Sequence, residues 1–299
     1  MDKPVIPNSV RAWVLAARPN SLTASWVPVM VGVAYAWYVT QGEDFSAIAA
    51  ILCFLFAFLM QIDANLVNDY FDYVRGHDNE ERLGPLRACQ QGWVTLKAMR
   101  MAIALVSLAA CVVGMPLVLY GGWQLIGVGA LCLVFCFLYT TMLAGKGLGD
   151  LLVVVFFGLV PCYFSYYVCV PVVFQGVDYN VLMLALACGM VVDTLLIVDN
   201  YRDIDNDRAV GKRTLVVALG KPLTEVIYLL LVPVALCMVS ACFGLYAALF
   251  AIPTLAMHLY TWHTMRKIGK GRELNRVLGM TARNILIFGI MTTIVVIMA

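Results

Sequence analysis

Long runs without charged side chains alternate with short polar stretches along the 299 residues of the chain. A helix needs about 20 mainly apolar residues to cross the hydrocarbon core of a bilayer, and nine segments of the sequence meet that need. They lie between Arg18 and Glu43, at about 45–67, twice between Arg100 and Lys146 with a turn at Gly121-Gly122, between Asp150 and Asp178, at about 181–199, twice between Glu225 and Arg266 with a turn near Phe243-Gly244, and at about 278–299. The pattern predicts an all-α polytopic membrane protein, a bundle of about nine transmembrane helices around a central cavity.

The composition agrees with a chain that lies mostly in lipid. Hydrophobic residues make up 63% of the sequence and charged residues 13%, and the mean hydropathy is +0.88. Soluble domains are about half apolar and about a quarter charged, so an ordinary soluble enzyme is excluded. The ten cysteines form no Cys-x-x-Cys pair and no cluster with histidine, and we interpret them as small hydrophobic residues. Residues 1–299 are expected to form a single transmembrane domain.

The basic residues are distributed unevenly between the two sides of the predicted bundle. With the N-terminus in the cytoplasm, that segment and the connections 69–97, 145–150, 200–221 and 263–283 contain or border all 20 Lys and Arg residues. The opposite loops hold only Glu43, Asp44 and Asp178 as charged residues. Cytoplasmic loops carry an excess of Lys and Arg, so the sequence predicts a multi-pass membrane protein with its N-terminus and polar loops in the cytoplasm.

Two acidic motifs follow the second and sixth apolar runs, on the predicted cytoplasmic side. Asn68 and Asp72 are four residues apart, as are Asp199, Asp203 and Asp207, so each set shares one face if the helices continue. A solvated helix end is the alternative interpretation, but two carboxylates about 6 Å apart repel each other by about 3 kcal/mol at an effective dielectric of about 20. A divalent cation removes that repulsion, and oxygen ligands favour Mg²⁺, which shares its shell with phosphates. We therefore predict two Mg²⁺ half-sites that hold one diphosphate.

Around these residues the chain resembles the UbiA superfamily of intramembrane aromatic prenyltransferases. The shared motifs are Asn68-Asp69-Tyr70-Phe71-Asp72 with Gly76-x-Asp78, Arg82-x-Gly84-Pro85-x-Arg87, Gly147-Leu148-Gly149-Asp150, and Asp199-Asn200-x-Arg202-Asp203-x-x-x-Asp207-x-x-x-Gly211-Lys212-x-Thr214-Leu215. They are similar to the branch that prenylates 1,4-dihydroxy-2-naphthoate. Two positions depart from the general superfamily pattern, because Gly76 stands where an Asp is usual and Asp199 where Asn is common.

The resemblance implies transfer of a polyprenyl group from polyprenyl diphosphate to 1,4-dihydroxy-2-naphthoate with loss of CO₂, giving demethylmenaquinol. The predicted Mg²⁺ ligands and catalytic residues are Asn68, Asp72, Asp199, Asp203 and Asp207. Candidate cationic contacts for the diphosphate are Arg18, Lys146, Arg202 and Lys212. For the two lysines, simple positive-inside topology is the alternative, and the resemblance favours a diphosphate contact at Lys146. The resemblance also implies supporting roles for Asn65, Asp69, Asp78 and Asn200, and a place in the bacterial cytoplasmic (inner) membrane.

Two acidic residues lie inside the predicted membrane-spanning runs, and two functions other than naphthoate prenylation are compatible with the sequence. Asp63 and Asp193 lie within apolar runs, and because a carboxylate inside the bilayer costs about 2.5–3.5 kcal/mol we expect both to face the cavity. The alternative functions are a UbiA-type transferase with another acceptor, 4-hydroxybenzoate or homogentisate, and an ion-coupled transporter, which broken helices at the bilayer midplane would favour. The expected partners are the prenyl diphosphate, the aromatic acid and the lipid bilayer, with no nucleic acid.

Overall fold

The computed structural model describes residues 5–76, 83–139, 143 and 146–299, without the side chains of 245 and 246. Every regular element within these residues is a helix. The α-helices are α1 (Val10–Ala17), α2 (Leu22–Thr40), α3 (Ala47–Val74), α4 (Leu96–Gly114), α5 (Val118–Gly121), α6 (Gln124–Leu138), α7 (Gly149–Val154), α8 (Val160–Cys169), α9 (Tyr179–Ala209), α10 (Leu215–Phe243), α11 (Leu245–Ile268) and α12 (Leu274–Met298). A short π-helix, Val155–Leu159, joins α7 to α8.

The prediction of an all-helical membrane protein is confirmed, and the count of nine spans is approximate. Seven helical segments in the described part of the chain are long and apolar enough to cross a membrane: Val10–Thr40, Ala47–Val74, Leu96–Gly121, Gly149–Cys169, Tyr179–Ala209, Leu215–Phe243 and Leu274–Met298. The helices α6 and α11 occupy the other two predicted runs. α11 carries Thr254, His258 and Thr261, all buried, so its polar residues face the protein and lower its hydropathy without facing lipid. The two predicted turns are present, with Gly122 and Gly244 at φ of 80° and 79°, where glycine is favoured.

The outer surface of the bundle is apolar, as contact with lipid requires. Side chains that are more than half exposed include Leu105, Leu108 and Val112 on α4, and Leu249 and Ile252 on α11. In water such a continuous apolar surface would be a liability, whereas the hydrocarbon core is its natural solvent. The protein is a multi-pass membrane protein.

The largest buried cluster lies where α2, α8, α9 and α12 pack together. The π-helix and α9 approach each other closely, because a Cβ on Gly158 would lie 2.4 Å from the Cα of Gly189. Only glycine allows two backbones to come this close. This contact fixes the position of α9, which carries the second acidic motif, against the wall formed by the π-helix and α8.

Candidate active site

Both acidic motifs lie on helices rather than in the loops that follow them. The helix α3 runs on to Val74 and α9 runs on to Ala209, so the connections predicted from residues 69 and 200 begin several residues later. Because an α-helix repeats every 3.6 residues, side chains four positions apart point the same way. The predicted ligands of each motif therefore share a face.

These two faces line one cavity of about 1080 Å³. Its polar lining comes from Arg18, Asn65, Asn68, Asp72, Arg87, Asp199, Asn200, Asp203, Asn206, Asp207, Lys212 and Asn275. The rest of the lining is mainly apolar and extends along α4, α5, α6 and α8, where Leu117, Val118 and Leu125 contribute. The cavity thus combines a charged end, formed where α3 and α9 finish, with a long apolar body.

In the first half-site, two arginines bind the side chains of α3. The Nη2 atom of Arg87 lies 3.0 Å from Oδ2 of Asp72, and its Nη1 donates a hydrogen bond to Oδ1 of Asn68. Arg18 donates to the same Asn68 oxygen at 3.4 Å. Asp72 and Arg87 are 14% and 6% exposed, so this ion pair is largely shielded from water and its charges attract strongly.

The second half-site repeats this arrangement within α9. The buried Arg202 lies 2.5 Å from Asp199 and 2.6 Å from Asp203. One turn further on, Asp207 lies 3.7 Å from the Nζ of Lys212. Each motif therefore presents carboxylates that are already neutralised by a guanidinium or ammonium group. Among the residues that the structure describes, no three His, Cys, Asp or Glu side chains are grouped closely enough to hold a metal ion by themselves.

Comparison with known proteins identifies the fold and the chemistry. The model of the UbiA prenyltransferase family matches residues 25–297. The chain belongs to the UbiA prenyltransferase family. It is therefore an enzyme that transfers prenyl groups, which removes the ion-coupled transporter from consideration.

Three similar proteins illustrate this membership. The 1,4-dihydroxy-2-naphthoate octaprenyltransferase of Escherichia coli is 36% identical over 71% of this chain and 69% of its own. The protein of the same name from Haemophilus influenzae is 30% identical over 86% of this chain and 87% of its own. A solved UbiA homologue from Archaeoglobus fulgidus, bound to DMAPP and Mg²⁺, has a TM-score of 0.59 and 13% identity over 96% of this chain and 99% of its own. At that identity the solved structure shows the shared fold.

Of the other residues predicted to contact the diphosphate or to support the site, some line the cavity of this UbiA-family chain and others do not. Lys212 and Asn200 line the cavity, whereas Lys146 is exposed and is absent from the lining. Asp78 lies outside the described residues. The cations that line the charged end in the described part of the chain are thus Arg18, Arg87 and Lys212, while Arg202 reaches the site through its two aspartates.

Asn65 and Asp69 hold neighbouring segments in place. The Nδ2 of Asn65 donates to the carbonyl of Ala17 and to Oγ of Ser21, both at 2.9 Å, and so fixes the turn that carries Arg18. The carboxylate of Asp69 accepts the backbone N–H groups of Ala88 and Cys89 at 2.8 and 3.1 Å. These bonds anchor the loop that carries Arg87. Both residues support the site by positioning its arginines.

Asp69→Ala is expected to lower the melting temperature of the purified protein by about 5 °C, because two charge-assisted hydrogen bonds are lost and two buried amides remain unpaired. The matched control is Asp205→Ala, which removes an exposed carboxylate from α9 and should leave the melting temperature unchanged. Thermal unfolding in detergent measures both. An unchanged melting temperature in Asp69→Ala would contradict its anchoring role.

The expectation that Asp63 and Asp193 face the cavity is wrong, since neither belongs to the cavity lining. Asp63 is fully buried and its Oδ2 accepts the hydroxyl hydrogen of Ser107 at 2.6 Å. This bond joins α3 to α4 and gives the carboxyl group a polar partner within the bundle. Asp193 is 4% exposed and lies within electrostatic range of Asp150 on α7. Burial between helices, rather than access to the cavity, is what keeps both groups away from lipid.

Three polar residues of the charged end, Arg87, Asn206 and Asn275, were absent from the predicted site. Arg87 belongs to the Arg82-x-Gly84-Pro85-x-Arg87 motif, so its place in a motif of the family resemblance was the available signal. Asn275 lies at the start of α12, and no motif or charge pattern in the sequence distinguishes it. It hydrogen-bonds Arg202 at 3.0 Å, a contact between residues 73 positions apart. Only the packing of α12 against α9 reveals it.

Proposed function

We propose that this chain transfers a polyprenyl group from polyprenyl diphosphate to 1,4-dihydroxy-2-naphthoate, with loss of CO₂ and with Mg²⁺ as cofactor, giving demethylmenaquinol. The observation that carries the proposal is the single cavity whose charged end holds both acidic motifs and whose body is apolar. A prenyl diphosphate has the same division into an anionic head and a hydrocarbon tail. The names of the E. coli and H. influenzae relatives support the naphthoate acceptor.

The oxygen-only donor sets of the two motifs fit Mg²⁺. This ion is usually held by one or two carboxylates, and water and phosphate oxygens complete its octahedral shell. Asn68 with Asp72 would supply one set of ligands, and Asp199, Asp203 and Asp207 the other. When bound, Mg²⁺ neutralises the diphosphate leaving group and thereby favours ionisation of the allylic C–O bond. The complex of the A. fulgidus homologue with DMAPP and Mg²⁺ supports this assignment.

The arginines at the charged end would bind the same diphosphate. Arg87 and Arg202 form ion pairs with the carboxylates that we assign to the metal. A guanidinium group binds phosphate oxygens through two parallel hydrogen bonds. Once a cation neutralises the carboxylates, Arg87, which lines the cavity, is free to turn its donors toward the substrate. The buried Arg202 lies behind Asp199 and Asp203 and contributes its positive charge through them. In the absence of substrate the same guanidinium groups keep the carboxylates from repelling one another.

The apolar body of the cavity would hold the prenyl chain and keep water from the allylic cation. Phe135 and Phe156 stack with their ring centroids 3.7 Å apart, and both line the cavity beside Tyr139. Aromatic faces stabilise nearby positive charge without acting as nucleophiles. Because the other lining side chains in this part are mainly apolar, the cation meets the aromatic acceptor rather than water.

We also propose that the charged end faces the cytoplasm of a bacterial inner membrane. Glu43→Cys and Val177→Cys, in exposed loops at the other end of the bundle, should then react with a membrane-impermeant thiol reagent added to intact cells. Asp205→Cys should react only after the membrane is permeabilised, and the wild-type chain measures the background from its own cysteines. Labelling of positions 43 and 177 only after permeabilisation would reverse the proposed orientation.

The test of the proposed function is an assay of the purified protein with Mg²⁺, a polyprenyl diphosphate and a panel of aromatic acids. Prenylation of the naphthoate with release of CO₂ is the expected result. Prenylation of another acid with the naphthoate untouched would overturn the proposed acceptor while leaving the prenyl transfer intact.

A further inference from the structure

Asn275 links two segments that lie on opposite sides of the charged end. Its Oδ1 accepts a hydrogen bond from Nη1 of Arg202 at 3.0 Å, and its Nδ2 donates to the carbonyl oxygen of Leu83 at 2.9 Å. Arg202 belongs to the second acidic motif on α9, whereas Leu83 lies four residues before Arg87 in the chain. The helix α12, which carries Asn275, contributes no acidic motif of its own.

Both ends of this link continue directly to the proposed metal and diphosphate ligands. On one side, Arg202 binds Asp199 and Asp203. On the other side, the loop from Leu83 reaches Arg87, which binds Asn68 and Asp72. A continuous series of hydrogen bonds and one short loop therefore connects the two half-sites by way of Asn275.

Two of the contacts that hold the loop of Arg87 lie on either side of this residue. Asp69 binds the backbone amides of Ala88 and Cys89 immediately after Arg87, and Asn275 binds the carbonyl of Leu83 four residues before it. The first anchor belongs to the helix of the first half-site, and the second is shared with the second half-site. Without Asn275, only the end next to α3 would remain fixed by these contacts.

We propose that Asn275 is a positioning residue that joins the two half-sites and sets the separation of Arg87 and Arg202. A primary amide suits this role because it accepts a hydrogen bond through Oδ1 and donates through Nδ2 at the same time. Oδ1 and Nδ2 of Asn275 each already hold one hydrogen bond within the protein, so we assign Asn275 to positioning the two arginines, although its side chain also lines the cavity. The claim that Arg87 and Arg202 are positioned for one diphosphate rests on the proposed function. The claim that Asn275 connects the two half-sites rests only on its hydrogen bonds.

Hydrogen exchange tests the link independently of activity. In Asn275→Ala, the protected amides of residues 83–93 should exchange about fivefold faster, since one hydrogen bond contributes about 1 kcal/mol to the closed loop. The matched control is Asn284→Ala, on the same helix, which loses hydrogen bonds to Thr261 and Met257 at 2.8 and 3.3 Å. That control should leave exchange in 83–93 unchanged, even where it lowers the melting temperature. Equal exchange in wild type and Asn275→Ala would overturn the proposal.

Kinetics test what the link does. Asn275→Ala should raise the KM for polyprenyl diphosphate about tenfold, with a smaller change in kcat, because a misplaced guanidinium weakens binding of the charged head. Asn275→Asp separates the two bonds, since its carboxylate still accepts from Arg202 but cannot donate to the Leu83 carbonyl. A raised KM in Asn275→Asp is expected if the link matters, and a wild-type KM in this variant would overturn it.

A double-variant cycle distinguishes positioning from general destabilisation. Because Asn275 acts through Arg87, the effects of Asn275→Ala and Arg87→Ala on KM should be far from additive, and the double variant should be little worse than Arg87→Ala alone. Independent, additive effects would overturn the proposal. If the wild-type protein transferred no prenyl group at all, the proposed function would fail, and exchange in 83–93 would alone decide whether Asn275 joins the half-sites.

Discussion

Asp72→Ala and Asp203→Ala are each expected to lower prenyl transfer by about a thousandfold or more in a protein that remains folded. Neutralisation of the leaving group by a bound metal contributes several kcal/mol to the transition state, and about 4 kcal/mol corresponds to a thousandfold in rate. Each variant removes one ligand from a half-site that offers few others. Turnover of the purified protein with saturating Mg²⁺ and both substrates measures the loss.

The chain offers a close control for these variants. Asp205 belongs to the same acidic run as Asp203, but it is exposed and lies away from the cavity. Asp205→Ala should retain wild-type turnover. Asp72→Asn and Asp203→Asn keep a hydrogen-bond acceptor for Arg87 and Arg202, so they separate the loss of a metal ligand from the loss of an ion pair. Full activity in either Asn variant would mean that its carboxylate charge is dispensable.

Removal of the metal ion should lower turnover as these substitutions do. A chelator is expected to abolish turnover, and excess Mg²⁺ should restore it, since oxygen ligands from carboxylates and an amide suit this ion. Near-wild-type turnover after exhaustive chelation would show that the arginines alone neutralise the leaving group. In that case Arg87 and Arg202, rather than the aspartates, would carry the effect of the motifs.

Helical periodicity explains why part of the site could be predicted from the sequence. The spacing of four residues placed Asn68 with Asp72, and Asp199 with Asp203 and Asp207, on common faces, and the structure brings both faces to one cavity. The same rule accounts for Asp69. One residue beyond Asn68, it is rotated by about 100° and meets the loop at Ala88 instead of the cavity.

The contacts between distant segments could not be predicted in this way. Arg87 reaches Asn68 over 19 residues and Asn275 reaches Leu83 over 192, and no local pattern specifies such pairs. Asp63 shows the same limit, because an acidic residue in an apolar run could face a cavity or a neighbouring helix. The hydroxyl of Ser107, 44 residues away, decides between these environments and becomes evident only when α3 and α4 pack together.

The second prediction with a large expected effect concerns the identity of the aromatic acceptor. We expect 1,4-dihydroxy-2-naphthoate to be prenylated with release of one CO₂ per product, and 4-hydroxybenzoate and homogentisate to remain unchanged. Three motifs of this chain resemble the naphthoate branch: Gly76-x-Asp78, Arg82-x-Gly84-Pro85-x-Arg87 and Gly211-Lys212-x-Thr214-Leu215. The relatives from E. coli and H. influenzae carry the corresponding name.

The chemistry of the naphthoate suits the residues around the cavity. Its two hydroxyl groups make the carboxyl-bearing carbon electron-rich, so that carbon can donate the electron pair that forms the new C–C bond as the diphosphate departs with the pair of the C–O bond. The electrons of the C–CO₂ bond then restore the aromatic ring, and no proton has to be removed from the reacting carbon.

Neither His258 nor His263 lines the cavity, and Nε2 of His258 is bound to the carbonyl of Tyr228 at 3.0 Å. By contrast, prenylation of 4-hydroxybenzoate beside its hydroxyl group would require a base to accept the ring proton. Mass spectrometry of the product distinguishes the two acceptors. A prenylated naphthoquinol that lacks the carboxylate is the expected product. A prenylated 4-hydroxybenzoate that retains its carboxylate would assign the chain to a different acceptor.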